Sequence, residues 1–122
     1  MPRPIHFEIP AEDPQRAIQF YETIFGWSFH KWDGPAEYWI INTGPDSEPG
    51  IHGGLMTRRH PDQPCVNTVG VTDLDASLQL VEKSGGQCVV PKMPVPGVGW
   101  LAYCKDTEGY IFGMLQSDRA AK

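Results

Sequence analysis

The sequence is short of several features that would assign it quickly to a class. It has three cysteines among 122 residues, Cys65, Cys88 and Cys104, and no Cys-x-x-Cys pair, so neither a zinc ribbon nor a disulfide framework is expected. No apolar run approaches the ~18 residues that cross a bilayer, and no apolar stretch follows Met1–Pro4 as it would in a signal peptide. Free cysteines without an export signal predict a reducing compartment, and we expect the cytoplasm.

A strong excess of one charge is also missing. The chain has 10 basic and 15 acidic residues, with a formal net charge of −5, so it lacks the basic surface that binds nucleic acid or an anionic membrane. Its hydrophobic fraction of 40% is typical of a folded chain. The 13 glycines and 12 prolines predict many turns and short strands rather than long helices.

What the sequence does contain is a repeat of one pattern of elements. Each half has an alternating strand, a helix that begins at an aspartate and ends at glycine, and three further strands. The first half runs through Ile5–Ile9, a helix from Asp13 to Gly26 and strands within 27–57; the second runs through Val66–Val71, a helix from Asp73 to Gly86 and strands within 87–116. The matched order favours a duplication over a chance likeness.

The repeat predicts the organisation of the chain. We expect module one at about residues 1–58, a linker at 59–64 containing Pro61 and Pro64, module two at about 65–117, and a polar tail at 118–122. Halves near sixty residues bury too little surface to be stable alone. The two modules should therefore form one domain with a concave surface between them, where a small molecule is expected to bind.

An ordered set of motifs accompanies the repeat. The first half carries Asp13-Pro14, Arg16-Ala17, Phe20-Tyr21 and Phe25-Gly26-Trp27, and the second carries Asp73-Leu74-Asp75, Gly85-Gly86 and the run from Lys105 to Gly113. Together they resemble the vicinal oxygen chelate superfamily of glyoxalases, bleomycin-resistance proteins and extradiol dioxygenases. The resemblance implies an α+β fold in which two βαβββ modules form one domain, with mixed sheets curled into a cup. It also implies a homodimer and, in enzymes of the family, a divalent metal in the cup.

The family's metal ligands come from the first and last strands of each module, and His6 matches the first of them. It lies seven residues before Asp13. Strand alternation places His6 and Glu8 on the face away from the apolar residues of their strand, so both side chains should point into the cup. An imidazole and a carboxylate suit a borderline divalent cation.

The other ligand positions are not kept. Val66 and Gly113 stand where module two should supply ligands, and neither can coordinate a metal. The matching strand of module one, Ile51–Leu55, places a glycine there. The sequence therefore predicts a degraded metal site. A metal remains an alternative if His6 and Glu8 converge with His52, which depends on strand register.

Four further residues are candidates for the ligand pocket. Trp39 and Trp100 occupy equivalent strand positions in the two modules, where they either line a pocket for a flat or apolar ligand or fill the core. Cys104 shares a strand face with Trp100 and is either a pocket residue or a small buried hydrophobe. His52 lies near a turn and contacts either the ligand or solvent.

Three functions stay open at this point. The first is a small-molecule-binding protein without the family's metal; if it is catalytic, His6 with Glu8 beside it is the acid–base residue. The second is a metal-dependent lyase, isomerase or dioxygenase of the vicinal oxygen chelate type. The third is a protein that sequesters a drug or metabolite without turnover.

Overall fold

The computed structural model describes residues 2–122 and has an α+β fold built from two βαβββ modules, which confirms the predicted class. The chain forms two compact units: the first unit is His6–Cys65, and the second unit is Val66–Lys122 together with residues 2–5. The elements are β1 (Arg3–Ala11), α1 (Pro14–Phe25), β2 (Ser28–Lys31), β3 (Tyr38–Asn42), β4 (His52–Thr57), β5 (Val66–Gly70), α2 (Leu74–Lys83), β6 (Gln87–Val95), β7 (Gly99–Lys105) and β8 (Ile111–Ser117).

Both helices begin at the aspartates that the sequence indicates. Asp13 has an extended backbone, and its side chain accepts a hydrogen bond from the Arg16 amide at 3.2 Å. Pro14 follows as the first helical residue, where its missing N–H costs nothing. Asp73 caps α2 in the same way. Gly26, with φ of 70°, ends α1 in the left-handed conformation that glycine adopts readily.

The sheet of the first unit is mixed, with strand order β2-β3-β4-β1. β4 runs parallel to β1, while β2 and β3 pair antiparallel. In this register His6 lies opposite His52, and Glu8 lies opposite Gly54. Ile40 of β3 lies opposite Gly54 from the other side. β4 therefore lies between β1 and β3, so a side chain of β3 must cross β4 to reach the side chains of β1.

One face of this sheet forms the core of the first unit. Ile41 and Leu55 are fully buried there, and Ala11 of β1 and Ile18 of α1 are buried beside them. Phe7 and Ile9 pack against the same cluster. Because side chains alternate along a strand, the intervening residues of β1 lie on the opposite face, which we call the open face.

The sheet of the second unit is also mixed, with strand order β5-β8-β7-β6. Its core contains Leu74, Ala102, Cys104 and Met114 beneath α2. Pro91 and Pro94 lie within β6, which continues to Val95. β6 is the edge strand of this order, and an edge position tolerates residues that lack an N–H.

The last residues of the chain pack more closely than a polar tail would. Ala121 is buried, and its carbonyl accepts a hydrogen bond from the Gly97 amide at 3.1 Å. The Trp100 indole donates to the Asp118 carboxylate at 3.0 Å, and this bond lowers the pKa of that carboxyl. Within residues 2–122, neither helix has the length or apolar character that crossing a membrane requires.

Candidate functional site

Three polar side chains of the first unit are joined by hydrogen bonds on its open face. The Nε2 atom of His6 lies 2.7 Å from the Tyr38 hydroxyl. That hydroxyl donates to Oε2 of Glu8 at 3.0 Å. The His6 and Tyr38 rings are nearly parallel, with 11° between their planes. We call His6, Tyr38 and Glu8 the polar triad.

Tyr38 reaches the other two residues because Gly54 has no side chain. Tyr38 belongs to β3, whereas His6 and Glu8 belong to β1, and β4 lies between these strands. A methyl group at position 54 would overlap the hydroxyl and ring of Tyr38. The absence of a side chain at Gly54 therefore lets the Tyr38 phenol lie across β4.

The preceding glycine, Gly53, likewise leaves space for an aromatic ring on the other face of β4. A methyl group at Gly53 would come within 2.6 Å of the Phe7 ring, which belongs to the core of the first unit. The Gly-Gly pair thus lets one aromatic ring cover β4 on each face. A glycine in a strand often marks a place where another group comes close to the backbone, and here those groups are the two aromatic rings.

The hydrogen bonds of the polar triad fix where its protons lie. A carboxylate accepts hydrogen bonds only, so the Tyr38 hydroxyl donates to Glu8 and its oxygen accepts from His6. Burial lowers the pKa of His6; the Glu8 charge opposes this shift and the His52 charge adds to it. The lowered pKa favours the neutral imidazole, and a neutral ring that donates to the Tyr38 hydroxyl carries its proton on Nε2 and a lone pair on Nδ1.

His52 lies beside His6 in the sheet but bonds elsewhere. Its Nδ1 atom accepts a hydrogen bond from the Thr43 amide at 3.2 Å. Its Nε2 atom lies 3.0 Å from the Asp46 carboxylate, in the segment between β3 and β4. Both ring nitrogens thus have protein partners, and His52 anchors that segment to the strand.

The residues present do not fit the divalent metal that the superfamily's enzymes hold. Among residues 2–122, no three His, Cys, Asp or Glu side chains are grouped so that they could hold a metal ion. The Tyr38 ring fills the space above Gly54, where β4 would have to supply a ligand. Val66 and Gly113 offer no ligand atom, and the Nδ1 lone pair of His52 accepts from a backbone amide.

The two tryptophans and Cys104 lie in the cores of their units. Trp39 packs against the core cluster of the first unit, on the face opposite the polar triad. Trp100 packs against the core of the second unit. Cys104 is fully buried there, and burial, followed by the neighbouring Cys88, raises the pKa of its thiol to about 11. These positions favour the core alternative over a ligand-lining one.

Tyr38 is the member of the site that the sequence does not reveal. It lies 32 residues from His6 along the chain, and nothing in its own segment marks it as polar and functional. The available signal is indirect: a glycine pair in one strand accommodates a large side chain from a neighbouring strand. Trp32 also lies at the site, edge-on to the Tyr38 ring with 6.0 Å between centroids.

Comparison with known proteins shows which family the chain is similar to. Residues 3–44, which contain the whole polar triad, match the family model described as bleomycin resistance protein-like N-terminal. A glyoxylase-like domain-containing protein of Didymella fabae is 32% identical over 107 residues, covering 84% of each chain. CFP32 of Mycobacterium tuberculosis, a glyoxylase by its name, is 30% identical over 113 residues, which are 89% of this chain.

Other comparisons set the extent of the likeness. The chain spans only 42% of the length of CFP32. Among solved structures, methylmalonyl-CoA epimerase of Mycobacterium tuberculosis superposes with a TM-score of 0.71 at 14% identity, covering 94% of this chain and 87% of that one. That likeness concerns the fold, whereas the Didymella fabae relative carries the family assignment. The chain belongs to the vicinal oxygen chelate superfamily, among its glyoxalase-like proteins.

Proposed function

We propose that this protein binds a small organic molecule on the open face of the first unit and that His6 contacts this ligand directly. In this proposal, binding does not use a metal ion held at the superfamily's ligand positions. The polar triad carries the proposal. Its hydroxyl fills the space above Gly54 that a metal-binding side chain would need. Its hydrogen bonds leave His6 with one ring nitrogen that accepts from a ligand.

The chemistry of the polar triad suits a proton acceptor. A neutral imidazole accepts a hydrogen bond or a proton through its lone pair, here on Nδ1. When His6 takes up a proton, Nε2 keeps its hydrogen bond to Tyr38, and the Glu8 carboxylate stabilises the positive charge through the phenol. If the bound molecule is converted, proton abstraction by His6 is therefore the step that the triad supports.

The surroundings of the polar triad suit a ligand with an apolar part. Ile40 is 41% exposed and lies opposite Gly54 on the open face. The Trp32 ring adjoins Tyr38. These side chains support the expectation of a partly flat or apolar ligand, although Trp39 does not take part. The homodimer and the cytoplasmic location expected from the sequence stay predictions.

A second candidate function is sequestration without turnover. It is supported by the family model of the bleomycin-resistance type, whose match at residues 3–44 includes all three residues of the triad. The two functions use the same surface and differ in whether the bound molecule leaves unchanged. Two probes are suitable. Methylmalonyl-CoA is the ligand in a complex of a structurally similar epimerase, and bleomycin is named in the description of the matching family model.

We expect His6→Ala to weaken binding of a probe by about tenfold, the factor that corresponds to one lost hydrogen bond of about 1.4 kcal/mol. Trp32 adjoins Tyr38, so titration of tryptophan fluorescence with methylmalonyl-CoA or bleomycin reports on the site. Mass spectrometry of the recovered probe then separates turnover from sequestration. The matched control is His60→Ala, an exposed histidine in the segment between β4 and β5, which should leave affinity unchanged. The proposal is wrong if the wild type binds neither probe, or if His6→Ala binds as tightly as the wild type.

A further inference from the structure

Two of the three cysteines face each other in the second unit. Cys88 of β6 and Cys104 of β7 are register partners in an antiparallel pair, so their side chains share one face. Directly opposed residues in such a pair have Cα atoms about 4.5–5.5 Å apart. Disulfides form at Cα separations of about 4.4–6.8 Å. The backbone therefore already meets the main geometric requirement for a disulfide.

The side chains of this pair are also in contact. Cys88 packs against the core cluster that contains Cys104, and the nearby Cys88 thiol helps to raise the pKa of Cys104. Cys104 is fully buried, whereas Cys88 is only partly buried. A thiol pair in contact, with one member reachable from solvent, is the arrangement in which oxidation at the first sulfur is followed by attack from the second.

Cys88 is reached through an open groove on the surface of the second unit. The groove has a volume of about 710 Å³ and is lined by Leu78, Lys83 and Lys92 as well as Cys88. Small oxidants enter such a groove without a change of fold. The partly buried Cys88 thus meets an oxidant first, and the buried Cys104, with its raised pKa, is the second thiol to react.

The strand pairing beside the cysteines is irregular. The register between β6 and β7 shifts between Cys88 and Val90, and again between Val90 and Met93. A shift leaves a strand residue without its ladder partner. A covalent link at Cys88 would hold the start of β6 to β7 directly beside the first shift, so its formation should stabilise this edge.

We propose that Cys88 and Cys104 form a reversible disulfide across β6 and β7 when the protein meets a peroxide. In the first step the Cys88 sulfur attacks hydrogen peroxide; the O–O bond breaks, an S–O bond forms, and one water leaves. In the second step the Cys104 sulfur displaces the hydroxyl from Cys88, and a second water carries away the Cys104 proton. The two sulfurs are oxidised by two electrons together, and a dithiol reductant reverses the reaction.

The test uses the Cys65→Ser chain, because Cys65 is exposed and would otherwise form links between molecules. This chain is treated with hydrogen peroxide while folded and then denatured for thiol counting and peptide mapping. We expect the two free thiols to fall to none, a mass two hydrogens lower, and one peptide pair joined through Cys88 and Cys104. Reduction with dithiothreitol should return both thiols.

Two further measurements keep the result decisive. In Cys65→Ser/Cys104→Ser, Cys88 should accumulate as a sulfenic or higher acid, because its partner is missing. The oxidised two-cysteine chain should melt at a higher temperature than the reduced chain. The proposal is overturned if the folded two-cysteine chain keeps a free Cys104 thiol while Cys88 oxidises alone, or if disulfides form only between molecules.

Discussion

Gly54→Ala should lower the free energy of unfolding by about 1–3 kcal/mol, the usual cost of forcing an extra methyl group into a filled site. The added Cβ overlaps the hydroxyl and ring of Tyr38, so the phenol has to leave its position across β4. Its departure breaks the hydrogen bonds to both His6 and Glu8. The variant should also bind its ligand more weakly, because His6 is then no longer held.

The cause can be isolated by a double-mutant cycle with Tyr38→Ala. Without the phenol, an alanine at position 54 has space, and glycine is itself unfavourable in a strand interior. We therefore expect Gly54→Ala to be neutral or slightly stabilising in the Tyr38→Ala background, with a coupling of about 1–3 kcal/mol between the two changes. Urea unfolding of the four proteins measures this coupling. An equal cost of Gly54→Ala in both backgrounds would show that Tyr38 does not occupy that space.

Leu55→Ala should have the largest effect on stability, about 2–5 kcal/mol, as is usual when a fully buried leucine is truncated. Leu55 has no exposed surface and lies in the core of the first unit beside Ile41. Such a loss is a substantial part of the roughly 5–15 kcal/mol that stabilises a domain. Denaturant unfolding monitored by circular dichroism measures the change.

The matched control for Leu55→Ala is Ile40→Ala. Ile40 is 41% exposed and lies on the open face, opposite Gly54. Its truncation removes less buried surface than Leu55→Ala does and leaves no enclosed cavity, so it should cost only about 1 kcal/mol. If Ile40→Ala costs as much as Leu55→Ala, the assignment of the two faces of the sheet is wrong.

Local signals in the sequence predict most of the fold. The aspartates that begin α1 and α2, Pro14, and the glycine at the end of α1 act within a few residues of themselves, so their effect can be predicted without tertiary context. The alternation in β1 likewise separates His6 and Glu8 from the apolar side of that strand. The repeat then predicts the order of the elements, and the structure confirms it.

The face of a strand is harder to predict when both faces carry apolar residues. In β3, Tyr38 and Trp39 are both aromatic, and Ile40 and Ile41 are identical, so alternation shows which residues share a face but not which face is buried. The structure turns Trp39 and Ile41 toward the core and leaves Tyr38 and Ile40 on the open face. Packing against α1 decides which face of β3 is buried, and the sequence of the strand alone does not reveal that contact.

The polar triad could be predicted only in part for the same reason. His6 and Glu8 are two residues apart on one strand, so their shared face follows from the sequence. Their contact with Tyr38 requires the register of β3 against β4 and of β4 against β1. The prolines of β6 give a second example, because whether proline ends a strand depends on whether that strand lies at an edge.

The protonation of His6 can be observed by long-range ¹H–¹⁵N correlation spectra of the uniformly labelled protein near neutral pH. The wild type should show His6 as a neutral ring with its proton on Nε2, and the ring should titrate below its ordinary pKa of 6.5, because burial disfavours the charged form. Tyr38→Phe removes the acceptor of that proton and should allow the second tautomer to appear. A His6 ring protonated on Nδ1 in the wild type, or one whose tautomer Tyr38→Phe leaves unchanged, would contradict the proposed role of the triad.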